Sequence, residues 1–134
     1  MSTTVQPTTT SPRRRRLVAV AAAVLSCVVI WVVGWIAGVD YAVVNPDRTI
    51  EVNVGAVIAF ALVSALLGWA LLALLERFTG RAALIWTVVA VVVTLVSFVP
   101  VFAADASTGA KVALGVMHLA VAGVLIPLLP NWRR

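Results

Sequence analysis

Apolar residues fall in four unbroken runs, 17–39, 54–75, 82–104 and 112–129, and none of them contains an Asp, Glu, Lys or Arg. The runs are 18 to 23 residues long, and the hydrocarbon core of a bilayer needs about 20 helical residues to cross it. A membrane β-barrel alternates apolar and polar positions, whereas these runs are apolar on both parities. Each run therefore predicts a transmembrane helix, the form in which a segment satisfies its own backbone polar groups where no water can. The first run follows four arginines, as a secretory signal does, but it exceeds the roughly 7–15 residues of a signal core and carries Trp31 and Trp35. It reads as an uncleaved span.

Polar residues fill three connections. The turns at 76–81 and 105–111 are short, so sequential helices must run antiparallel as neighbours. Segment 40–53 is longer, and two β-prone runs flank Asn45-Pro46-Asp47-Arg48, a sequence suited to a tight turn with Pro46 in its second position. The expected fold class is all-α membrane: an antiparallel four-helix transmembrane bundle with a short extracytoplasmic hairpin-like loop. Residues 1–16 read as a disordered basic tail, 17–132 as the membrane domain and 133–134 as a cytoplasmic end.

Composition strengthens this picture. The 134 residues are 63% hydrophobic and 11% charged, against about 45–50% and about 25% in soluble domains. Charge then orients the bundle. Arg13, Arg14, Arg15, Arg16, Arg77, Arg81, Arg133 and Arg134 lie on one face, and only Arg48 and Lys111 lie on the other. The positive-inside rule places the first face, with both termini, in the cytoplasm. Residues 13–16 could additionally meet anionic lipid headgroups. A nucleic-acid site needs basic residues on a soluble face with base-reading partners, so that class is excluded. Trp35 and Tyr41 are expected at the outer interface, and Phe78, Trp86 and Trp132 at the inner one, as an aromatic belt.

Candidate chemistry is sparse. Every span carries a stripe of small or weakly polar residues. Gly34 and Gly38 form a GxxxG, Ser64 and Gly68 repeat the spacing, Thr87, Ala90, Thr94 and Ser97 share one helical face, and Gly115, His118 and Ala122 share another. Gly34, Gly38, Ser64, Gly68 and Gly115 are candidates for helix packing, because small residues let backbones approach in lipid. His118 is the ionisable residue well inside a span, and such a residue is a functional-site hypothesis by default. At six residues past Val112 it lies about 9 Å below the outer edge, with Thr94, Ser97 and Asp105 as hydrogen-bond candidates. A neutral histidine fixing helix register is the alternative role. Cys27, alone, reads as a packing residue.

The absences matter as well. No carboxylate lies within a span, which argues against a small four-helix proton-coupled exporter driven by a buried Glu. No histidine pair serves haem, no C-x-x-C supports disulfide chemistry, and no donor set completes a zinc site around one His. No catalytic, cofactor or metal residue is assigned.

The arginine-rich start, Gly38-Val39-Asp40, Leu71-Leu72-Ala73-Leu74-Leu75-Glu76-Arg77, the segment from Val116-Met117-His118 to Ile126-Pro127, and Arg133-Arg134 together resemble a family of small actinobacterial four-helix membrane proteins of uncharacterised function. The resemblance covers nearly the whole chain. It implies the same fold and a bacterial cytoplasmic membrane, and brings no activity, substrate or cofactor. The leading expectation is a non-enzymatic structural or accessory subunit acting by helix association, as a homo-oligomer or with another membrane protein. The alternative is a small transporter or channel subunit with His118 as its intramembrane polar contact.

Overall fold

A computed structural model describes residues 11–131. Most of the expected tail, and Trp132, Arg133 and Arg134, lie outside the described residues. The chain runs α1 (Pro12–Ile36), β1 (Ala42–Val44), β2 (Thr49–Glu51), α2 (Val54–Phe78), α3 (Ala82–Ala103), β3 (Asp105–Ala106) and α4 (Thr108–Leu128). All four helices are long and apolar enough to cross a membrane, and they pack together as one integral membrane domain.

Capping chemistry sets where the helices start. The Ser11 hydroxyl accepts from the Arg14 N–H at 3.3 Å, and Pro12 occupies the first turn, where its missing donor costs nothing. Asn53 Oδ1 accepts from Ala56 N–H at 2.8 Å, and Ser107 Oγ from Ala110 N–H at 3.1 Å. Hence α1 begins at Pro12 instead of 17, taking Arg13 to Arg16 out of the expected tail, and α4 begins at Thr108 instead of 112. The sequence boundaries followed charge, which marks the edge of the apolar layer. Helical hydrogen bonding continues past that edge until a cap intervenes.

At the end of α1, Gly38 adopts φ +83°. Its N–H reaches Trp35 O at 3.1 Å and the Val39 N–H reaches Gly34 O at 2.9 Å, the paired bonds of a glycine-terminated Schellman motif. Gly38 is therefore a chain-reversal residue, with nothing within 4 Å of where its Cβ would lie, and not half of a helix-packing GxxxG.

The connections tie both ends of the bundle. β1 pairs antiparallel with β2 around the Asn45–Arg48 turn and, on its other side, with β3. The sheet order β2-β1-β3 joins the α1–α2 connection to the α3–α4 connection, and Ser107 Oγ adds a 2.8 Å bond to Asp40 O. At the opposite end, Arg16 ion-pairs with Glu76 of α2 and its Nε donates to Leu129 O at 3.2 Å, while Arg15 donates to Pro130 O. Start of α1, end of α2 and end of α4 thus meet, and consecutive helices run in alternate directions. Arg15 and Arg16 satisfy carbonyls left over at the end of α4, leaving Arg13 and Arg14 exposed.

Two buried clusters form the core. Near the arginine end, Ala19, Val20 and Ala23 of α1, Ala65 and Leu72 of α2, Ala82 and Trp86 of α3, and Leu125 of α4 interlock with Leu129. Near the sheet end, Cys27, Tyr41, Val57, Ala61, Ala110, Ala113 and Met117 pack together, and no α3 residue joins them. All four helices meet in the first half; α3 stands apart from α2 in the second.

Three small-residue positions serve as sockets for aromatic rings of the same chain. Gly68 receives Trp86, whose indole N–H donates to Gly68 O at 2.8 Å. Gly115 receives Phe98, and Gly34 receives the Tyr41 phenol, which donates to Trp31 O at 3.1 Å. Trp86 and Tyr41 are buried and so are core residues, not members of the expected aromatic belt. Each has a polar atom with a protein partner, which removes the reason to sit at a wet interface. Burial pushes the Tyr41 phenol up from its ordinary range, because the charged form loses its water. Trp35 and Phe78 remain exposed. A Cβ on Gly34 would coincide with the Tyr41 hydroxyl. Gly34→Ala should therefore expel the ring and cost roughly 1–3 kcal/mol by overpacking, read as thermal unfolding in a mild detergent. Tyr41→Phe in that background should recover part of the loss; a Gly34→Ala protein as stable as the parent would contradict the socket.

Candidate functional site

The gap left by the divergence of α3 from α2 is a cavity of about 620 Å³, within the roughly 300–1,000 Å³ of small-molecule sites. Trp86, Leu125 and their neighbours close it toward the arginine end, and Val52 borders it at the sheet end. Between α2 and α3 it opens sideways. Phe60, Leu67 and Val93 line it and are nevertheless 75%, 65% and 60% exposed. In a membrane, that face meets lipid chains.

The wall is apolar apart from a few groups set at nearly one level. Counted from the sheet-side helix ends at Ile36, Val54, Ala103 and Thr108, Cys27, Ser64, Thr94 and His118 lie nine, ten, nine and ten residues in, about 14–15 Å along each axis. All four line the cavity, with Ser97 one turn nearer the sheet. The early start of α4 lengthens the helix ahead of His118, which still lies about 9 Å past the edge of the apolar run at Val112.

The expected trio of His118, Thr94 and Ser97 thus shares the cavity, but its members do not bond one another. His118 Nδ1 lies 2.6 Å from Leu114 O on its own helix, and its ring tilts against Phe98 with centroids 5.9 Å apart. Thr94 Oγ1 donates to Ala90 O at 2.7 Å and Ser97 Oγ to Thr94 O at 2.6 Å, the back-bonding typical of hydroxyls in apolar helices. Asp105 lies in β3, exposed, away from the histidine. Ser64, assigned to packing by its spacing, is exposed in the cavity and has no hydrogen-bond partner among the described residues. Gly68 lines the cavity beneath Trp86, whereas Gly34, Gly38 and Gly115 lie outside it. Sequence reasoning missed Ser64 as a polar member. The spans at 54 and 112 put Ser64 ten residues in and His118 six, so their common level appears only once α4 is seen to begin at Thr108.

Cys27 is buried, with Sγ 4.0 Å from Met117 O. Among the described residues no three His, Cys, Asp or Glu side chains come together as metal ligands.

Fold and cavity define a class: a four-helix integral membrane protein with an internal cavity that faces the bilayer. The chain belongs to a family of unknown function (DUF6069), whose pattern matches residues 7–134. No curated protein and no solved structure matches it.

Proposed function

We propose that the protein binds a lipophilic small molecule within the bilayer, as a small carrier or transporter component, with His118 as the intramembrane polar contact. The carrying observation is the cavity: it is apolar, it opens toward lipid between α2 and α3, and its few polar groups sit at one depth. Its closure by the four-helix cluster around Trp86 argues against a continuous ion pore. The accessory-subunit reading, helix association with a partner, would need small residues open to that partner. Gly34, Gly68 and Gly115 are instead filled by Tyr41, Trp86 and Phe98, which weakens it. The role proposed is binding without catalysis.

The natural setting is a bacterial cytoplasmic membrane with both termini inside, as the arginine distribution favours. An activity reporter fused after Arg134 should be active only in the cytoplasm; periplasmic activity would reverse the orientation. Anionic headgroups meet Arg13 and Arg14, since Arg15 and Arg16 are engaged within the bundle.

Native mass spectrometry of the full chain, released from mild detergent, tests the binding. A small lipophile should remain on the wild type after bulk phospholipid is stripped. It should be absent from Ala90→Phe, which fills the cavity wall. Identical phospholipid-only adducts on both proteins would sink the proposal.

A further inference from the structure

We infer that the cavity selects an uncharged lipophile whose head donates a hydrogen bond, an alcohol or a phenol, and that Nε2 of His118 accepts it. This rests on the lipophile-binding reading above and adds the chemistry of the ligand. A backbone carbonyl can only accept, so the 2.6 Å contact with Leu114 O places a proton on Nδ1. In the neutral imidazole the other nitrogen, Nε2, then carries a lone pair, and it has no protein partner among the described residues.

Three of the remaining polar groups make the same offer. Thr94, Ser97 and Cys27 each own one proton, directed to Ala90 O, Thr94 O and Met117 O respectively, so each presents only acceptor capacity to a guest. The indole N–H of Trp86 is closed by Gly68 O. Among the described residues, Ser64 is the cavity-lining group whose hydroxyl proton has no protein acceptor. A head that only accepts, such as an ether or ester, would leave His118 Nε2 unpaired in an apolar surrounding, which is unfavourable. A carboxylate or phosphate would meet no Lys or Arg, and an ammonium no Asp or Glu, because none lines the cavity. An alcohol at the level of His118 satisfies Nε2, while its chain leaves past Phe60, Leu67 and Val93.

Photolabelling of the full chain in phosphatidylcholine vesicles tests this. The probes are dodecanol with a diazirine on its chain and the methyl ether of the same molecule, at equal mole fraction. Cavity-lining peptides should be labelled about fivefold more by the alcohol, the ratio given by one neutral hydrogen bond. His118→Phe, which keeps a ring beside Phe98 but no lone pair, should bring the ratio near one. Equal or stronger cavity labelling by the ether in wild type overturns the donor-head inference and leaves lipophile binding standing. Labelling by both probes confined to lipid-facing residues such as Leu95 and Val96 overturns both. A fivefold ratio that persists in His118→Phe removes the acceptor role from His118.

Discussion

Replacing Arg16 by leucine is expected to cost about 3 kcal/mol of stability, the scale of leaving one member of a shielded ion pair alone. The Arg16 side chain is 11% exposed and its Glu76 partner 22%, so water relieves little of the stranded carboxylate's cost. The same guanidinium also closes Leu129 O, so one substitution loosens α1 from both α2 and α4. Thermal unfolding in a fixed detergent measures the loss. Adding Glu76→Leu should return much of it, because replacing both partners by apolar groups is often near neutral. An Arg16→Leu protein within about 0.5 kcal/mol of wild type, the range of ordinary surface substitutions, would show that the pair is a solvated surface contact.

Trp86→Ala should cost about 3–5 kcal/mol, the range for emptying a large aromatic site in a packed core. The ring lies over Gly68, contacts the cluster of Ala65, Leu72 and Leu129, and forms the cavity floor. Lipid provides no hydrophobic drive between helices, so the loss falls on packing contacts and on the indole bond to Gly68 O. Trp86→Phe keeps most of the ring and should lose mainly that bond, about 1 kcal/mol. The comparison distinguishes a core tryptophan from an interfacial one. Equal, small losses from both substitutions would return Trp86 to the aromatic belt.

Much of the fold was legible because membrane insertion imposes a coarse rule. A run of about 20 residues without charge becomes a helix, and the four runs correspond to four helices. Their ends were less legible, since Ser11, Asn53, Ser107 and Gly38 act through hydrogen bonds that a hydropathy boundary does not contain. β3 was invisible: Asp105 and Ala106 form a strand only because β1 is brought beside them. His118, Thr94 and Ser97 were legible as polar exceptions in apolar helices. Their hydrogen-bond partners were not, since each chose a carbonyl on its own helix over the neighbours that shared-face reasoning suggested.

The sequence by itself determined that this chain is a four-span membrane protein, which residues are charged, and that a few weakly polar residues interrupt the spans. Those properties follow from transfer of side chains between water and lipid, which acts on each segment separately. Tertiary structure alone decided that Arg15 and Arg16 are clamps, that glycines are sockets for the chain's own aromatic rings, and that α3 parts from α2. These outcomes depend on which surfaces meet. In lipid that choice is made by close packing and hydrogen bonding between distant residues, quantities that hydropathy along the chain does not carry.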